Sequence, residues 1–239
     1  REELLTLFED ASFRKLPMVE RHVLPRILRR FALQGRRQDL LACARLLRLA
    51  TDKAQTKKLL EGFEKAYQGR LMQGLPQELV EALAKVGRSS LMLRLRLGEP
   101  EAMTETLAKV ADRKTPKIER LALVRSLGEL KKADAVPVLL SLAFSEPPEP
   151  TSLAQAALAA LSAFPDGSIG RQATARLPTL PKELASPTFE LLLAREAWTK
   201  ELLSLMSQGK ISPASLPPDI AQRLREHPTK NHREAASRL

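Results

Sequence analysis

Two stretches of this chain superpose at an offset of 34 residues, and that recurrence limits the folds open to it. The first is PKIERLALVRSLGEL (116–130) followed by ADAVPVLLSLAF (133–144). The second is TSLAQAALAALSAF (151–164) followed by SIGRQATARL (168–177). Ala122 falls on Ala156, Val124 on Leu158, Leu127 on Leu161 and Leu130 on Phe164. Ile118, Leu121, Ala122, Val124 and Leu127 recur at helical spacing, so each stretch reads as a pair of helices. Thr115 supplies a cap and Pro116 a first-turn proline. Helix pairs recurring every 30–40 residues mark an α-solenoid, in which each pair buries its face against its neighbours. The small residues Ala156, Ala157, Ala159, Ala160 and Ala163 permit close helix approach. An irregular bundle is the bland alternative, because Leu/Ala-rich helices align easily.

The rest of the chain is compatible with more helices. Aromatics are 4% of the residues and β-branched runs are few, which disfavours a large sheet. Residues 19–34 place Val19, Val23, Ile27, Phe31 and Ala32 near one face, with Leu24 and Leu28 widening it. Pro25 marks either a start or a kink there. Phe8 and Phe13 are candidate anchors. Residues 38–50 read as a helix. Asp52 to Gln55 match a capping box ahead of a helix with Leu59, Leu60, Phe63, Ala66 and Tyr67 inward, closed by Gly69. Another helix spans 76–86, closed by Gly87. SSLMLRLRLG (89–98) alternates like a strand but is read as a short helix. Ser186-Pro187 opens the last long segment, which carries Phe189, Leu192, Leu193, Trp198, Leu202 and Leu203 and breaks near Glu196. The expected fold is therefore all-α, a right-handed α-solenoid of HEAT/armadillo-like helix pairs. It forms a single domain over 1–239, with irregular repeats at 1–110, the clearest pairs at 115–178 and a helical cap at 186–239.

Chemistry is sparse. The lone Cys43 rules out a disulfide framework and a cysteine-built metal site, and LLACARLL around it makes it a core thiol. His22, His227 and His232 are spaced unlike metal ligands. The carboxylates Glu2, Glu3, Glu9, Asp10, Glu146 and Glu149 fall near the terminus or in a proline-rich linker and read as solvated. No phosphate-binding glycine motif is present, and Ser168-Ile169-Gly170 is only a weak anion site at a helix start. The expectation is a segment with no catalytic residue, no cofactor and no metal. No apolar run approaches 18 residues, so no membrane span is expected. A first residue other than Met and an end within a helical pattern suggest a fragment of a longer protein.

Charge is the strongest functional cue. The net charge is +11, and residues 11–70 carry 15 basic against 5 acidic side chains. Such a field attracts nucleic acid, an anionic surface or an acidic protein. The candidate basic surface is Arg26, Arg29, Arg30, Arg36, Arg37, Arg45 and Arg48. Spacings of 3, 4, 7 and 11 would let Arg26, Arg29, Arg30 and Arg37 share a helix face. A solvated helical face is the bland reading. A solenoid gripping DNA or RNA backbone is the rival. A HEAT-like DNA glycosylase is a remoter one, since it needs an acid and aromatics in a groove.

Residues Ile211 to Pro217, then Gln222 to Pro228 and Ala235, resemble a segment of large planctomycete-type haem-binding proteins that carry a CxxCH cytochrome c domain and are often described as membrane-bound dehydrogenases. Leu59 to Phe63, with Ala66 and Gly69-Arg70, resemble another piece of that region. The resemblance implies a HEAT-like helical spacer between a sugar-dehydrogenase-like β-propeller and a c-type cytochrome domain, in an exported or periplasmic protein. Its partners would be neighbouring domains of the same chain or another protein. The matching residues are turns and helix ends, so no haem or quinone ligand is implied within this segment.

Overall fold

The computed structural model describes residues 2–50, 52–68, 72, 74–87 and 90–237, and among them every regular element is a helix. Residues 1–106 and 107–239 form two compact units.

The first unit begins with α1 (Glu2–Glu9) and α2 (Ala11–Arg14). A π-helical stretch, Val19–Val23, then runs directly into α3 (Leu24–Gln34). Pro25 explains the widening. It has no N–H to donate, and its ring would meet the carbonyl four residues back. The turn before it therefore takes one extra residue, and the Leu24 N–H reaches the Val19 carbonyl, five positions away. Next come α4 (Arg37–Arg48), α5 (Lys53–Ala66), α6 (Gln77–Gly87) and α7 (Leu91–Leu97), and α8 (Pro100–Ala111) carries the division.

Helix α3 packs on both α4 and α5, and α4 packs on α6, so two helix pairs stack in two layers. Leu24, Leu28 and Ala32 of α3 meet Cys43 and Leu47 of α4, Leu59 and Phe63 of α5, and Leu79 and Leu83 of α6 in one buried cluster. Val23, Ile27 and Phe31 flank it half-buried. Gly62 sits where α5 crosses the proline turn, and a Cβ there would lie 2.5 Å from the Pro25 carbonyl oxygen. The Asp52 carboxylate accepts the Gln55 N–H at 2.8 Å, the expected N-cap of α5. The expected closure at Gly69 lies outside the described residues. The alternating segment is helical, as read: Ser90 caps α7 and Gly98 ends it in the left-handed conformation.

In the second unit the stacking is regular. The helices are α9 (Lys117–Leu130), α10 (Val136–Ala143), α11 (Thr151–Leu161), α12 (Gly167–Arg176), α13 (Lys182–Leu193), α14 (Glu196–Ser207), α15 (Pro218–Arg225) and α16 (Lys230–Ser237). One layer runs α9, α11, α13, α15 and the other α10, α12, α14, α16; neighbours within each layer are in contact, and across the layers α10 packs on α11, α12 on α13, α13 on α14 and α15 on α16. The 34-residue offset is visible in burial: Val124 and Leu158, Leu127 and Leu161, and Leu130 and Phe164 are all inward.

A third copy is present that helical periodicity alone does not reveal. Arg120, Ala154 and Thr188 are equivalent and buried, as are Leu123, Ala157 and Leu191, and Val124, Leu158 and Leu192. Pro187 masks it, because Ser186-Pro187 resembles a helix start. The helix instead begins at Lys182 and holds Pro187 inside it. The Glu183 carbonyl, which Pro187 cannot serve, accepts the Gln155 side-chain amide of α11 at 3.3 Å. Ile118 and Ala122 depart from expectation too: Ile118 is 85% exposed and Ala122 is exposed, because α9 turns Leu123, Val124 and Leu127 inward.

Candidate interaction surface

Seven arginines were singled out by charge density, and the structure sorts them into two groups. Arg26, Arg29 and Arg30 project from the solvent face of α3, opposite the buried Leu24, Leu28 and Ala32. Arg36 is exposed in the turn that follows. These four carry no ion pair among the described residues. Arg37 does not continue their face. Gly35 closes α3 with φ 67° and the chain restarts at α4, so a spacing counted through residue 35 crosses a break between helices.

The remaining three hold other parts of the unit. Arg37 lies 3.8 Å from the Glu78 carboxylate at the start of α6, and Arg48 donates to the Glu78 carbonyl at 3.2 Å. Arg45 pairs with Glu2 at 3.1 Å and with Glu9, fastening α1 to α4, and both carboxylates raise its pKa, the Glu9 hydrogen bond most. Glu2 and Glu9 therefore act as partners of Arg45. Arg14, from the same basic stretch, is buried and donates to the carbonyls of Phe8 and Glu9 at the end of α1.

Beside the exposed group lies a groove of about 500 Å³. Leu4, Ile27 and Phe31 provide its apolar part, Arg30 and Arg36 its basic part, and the buried Asp39 one acidic wall. The solvent face of the same helical run also carries two large apolar side chains, Met18 at 66% exposure and Leu33 at 52%. Charge counting could not have found them, since an apolar residue beside a buried stripe reads as part of that stripe.

Elsewhere the polar groups serve the fold. Glu149 corrects the expectation of a solvated linker. Its side chain is 5% exposed, and its two oxygens meet Arg120 at 2.9 Å and Arg113 at 3.0 Å. Arg120 also donates to the Val110 carbonyl. The hydrogen bond from Arg120, and then the charges of Arg120 and Arg113, hold the Glu149 carboxyl below the usual carboxylate range. Glu146 stays exposed and pairs with Arg176 at 2.7 Å. The Ser168 turn already has its anion, because the Asp166 carboxylate accepts the Ser168 N–H at 2.8 Å.

His227 and His232 are brought together by the turn at Pro228, with ring centroids 4.8 Å apart. Partial burial, and then the neighbouring His232, lower the pKa of His227, whose Nδ1 accepts the Thr229 N–H. His232 contacts the Glu196 carbonyl at 3.2 Å. Among the described residues no group of three or more His, Cys, Asp or Glu side chains is placed to hold a metal ion. Cys43 is fully buried, and burial followed by the charge of Asp39 pushes its thiol up to about 12. No helix among the described residues is long and apolar enough to cross a membrane. Compared with known proteins, the chain matches no family model, no curated protein and no solved structure.

Proposed function

We propose that this chain is a non-catalytic helical scaffold, a HEAT-like α-solenoid of right-handed superhelical sense that presents a preformed face to a protein partner or to neighbouring domains of its own chain. The observation that carries this reading is the two-layer stack in 107–239, where each helix lies against its neighbours within its layer and successive helices bridge the two layers. Buried polar side chains there hold backbone carbonyls or each other: Arg120 the Val110 carbonyl and Glu149, Thr188 the Leu184 carbonyl, Thr199 the Leu192 carbonyl. A stacked array offers contact area at little ordering cost, because its surface is already fixed before binding. In the setting suggested by the resemblance of residues 211–228, the chain spaces a β-propeller from a c-type cytochrome domain in an exported redox protein.

Hydrogen exchange of the chain, alone and with a purified c-type cytochrome domain or a sugar-dehydrogenase-like propeller, tests the reading. Protection along one continuous face, with the haem spectrum unchanged, is the expected result. If neither domain protects any segment, the spacer assignment falls. If a substitution within the stack abolishes turnover while binding persists, the non-catalytic assignment falls.

A further inference from the structure

We propose that the solvent face of α3 and of the π-turn before it docks on an anionic phospholipid surface, with the groove between Arg30 and Arg36 receiving a headgroup phosphate. The proposal rests on the reading of the chain as an interaction module and names the partner of one face of it.

Three observations converge on this face. The first is charge: Arg26, Arg29, Arg30 and Arg36 are exposed there, and none carries an ion pair among the described residues. Arg37, Arg45 and Arg48 on the adjoining helix are engaged by Glu78, Glu2 and Glu9, so a partner would meet the free group first. Basic side chains near a bilayer gain from its negative surface potential, each by roughly a five-fold increase in partitioning.

The second is phase. In an unbroken α-helix the eight residues from Met18 to Arg26 would separate them by about 80° around the axis. The π-turn winds fewer degrees per residue and draws Met18 back onto the arginine face. The exposed positions then run Met18, His22, Arg26, Arg29 and Arg30, and Leu33, with apolar side chains at both ends and cations between. Side chains of this kind enter the headgroup–acyl boundary while arginines stay at the phosphates. The opposite side of α3 is committed to the core, so the contact is peripheral.

The third is the groove. Its free cations, Arg30 and Arg36, outnumber its one carboxylate, Asp39, and adjoin an apolar wall of Leu4, Ile27 and Phe31, the order of polarity met on passing from a lipid phosphate toward its acyl chains. Nucleic-acid backbone would use the arginines alike. It would leave Met18 and Leu33 in water, and binders of single strands add exposed aromatics for base stacking, which this face lacks.

Co-sedimentation of the whole chain with vesicles of phosphatidylcholine, alone or with about 30% phosphatidylserine, tests the proposal. Retention on the anionic vesicles only is expected. R26S/R29S/R30S lowers partitioning by about 100-fold, and M18S/L33S lowers it by about ten-fold. All five side chains are exposed, and circular dichroism with urea unfolding verifies that both variants fold. A duplex DNA titration at the same salt runs in parallel. No retention on anionic vesicles, or retention that M18S/L33S leaves unchanged, overturns the lipid assignment. If the DNA binds and the vesicles do not, the face is a nucleic-acid contact and the interaction-module reading stands. If neither binds and no protein domain protects the chain, both fall.

Discussion

At the scale of single residues, several charged side chains are kept inside where they close something. Glu149 closes the turn between α10 and α11 by holding Arg120 and Arg113. Its carboxyl is depressed in the folded state, so its stabilising contribution is complete above the ordinary carboxylate range. That contribution is lost as pH falls through the lower folded value. Acid titration followed by circular dichroism therefore shows a fall in stability below about pH 4.5. Glu149→Ala removes that part of the acid limb and costs about 3 kcal/mol at neutral pH, because Arg120 is left buried without its anion. Cys43 makes a second case. With a thiol pushed up to about 12 and no exposed surface, it reacts with iodoacetamide at pH 8 only as fast as the first unit opens. A labelling rate in native buffer equal to that in urea would contradict this.

The elements show how much of the fold was legible and where legibility stopped. Periodicity located α3, α5, α9 and α11 because each buries an apolar stripe, and Val124, Leu127, Leu158 and Leu161 fall inward as read. Proline was the main source of error. Pro187 resembles a first-turn proline, yet it lies inside α13, where Gln155 from α11 serves the stranded carbonyl. That compensation comes from a residue 28 positions upstream of the carbonyl and leaves no local trace. The basic surface was legible as a density of arginines and not as a surface. Distinguishing Arg26, Arg29, Arg30 and Arg36 from Arg37, Arg45 and Arg48 requires knowing where Glu2, Glu9 and Glu78 fold back. The crossing of α5 over the proline turn is the tightest test of the first unit. Gly62→Ala drives a methyl into the Pro25 carbonyl and lowers stability by about 2 kcal/mol, measured by urea denaturation. A neutral result would mean that the two helices part more easily than their packing suggests.

On the scale of the whole molecule, each of the two units has its own stack, and in residues 107–239 cohesion passes from pair to pair. Damage at one end of such an array should spread only as far as neighbouring interfaces carry it. Ile220 is fully buried in α15, which packs on α13 and α16. Ile220→Ala is expected to raise hydrogen exchange in α13 to α16 by ten-fold or more while amides of α9 and α11 keep their protection. Uniform acceleration along the unit would instead mark it as one cooperative body. The buried positions recur at a fixed stride through Arg120, Ala154 and Thr188, and through Val124, Leu158 and Leu192. That stride also sets which changes of length a gene for such a protein can survive. Loss or duplication of 34 codons brings together helices that already present equivalent faces. One codon more or fewer within a helix turns everything beyond it by about 100° and sends the inward residues into solvent. Descendants of this chain would therefore grow and shrink by whole helix pairs.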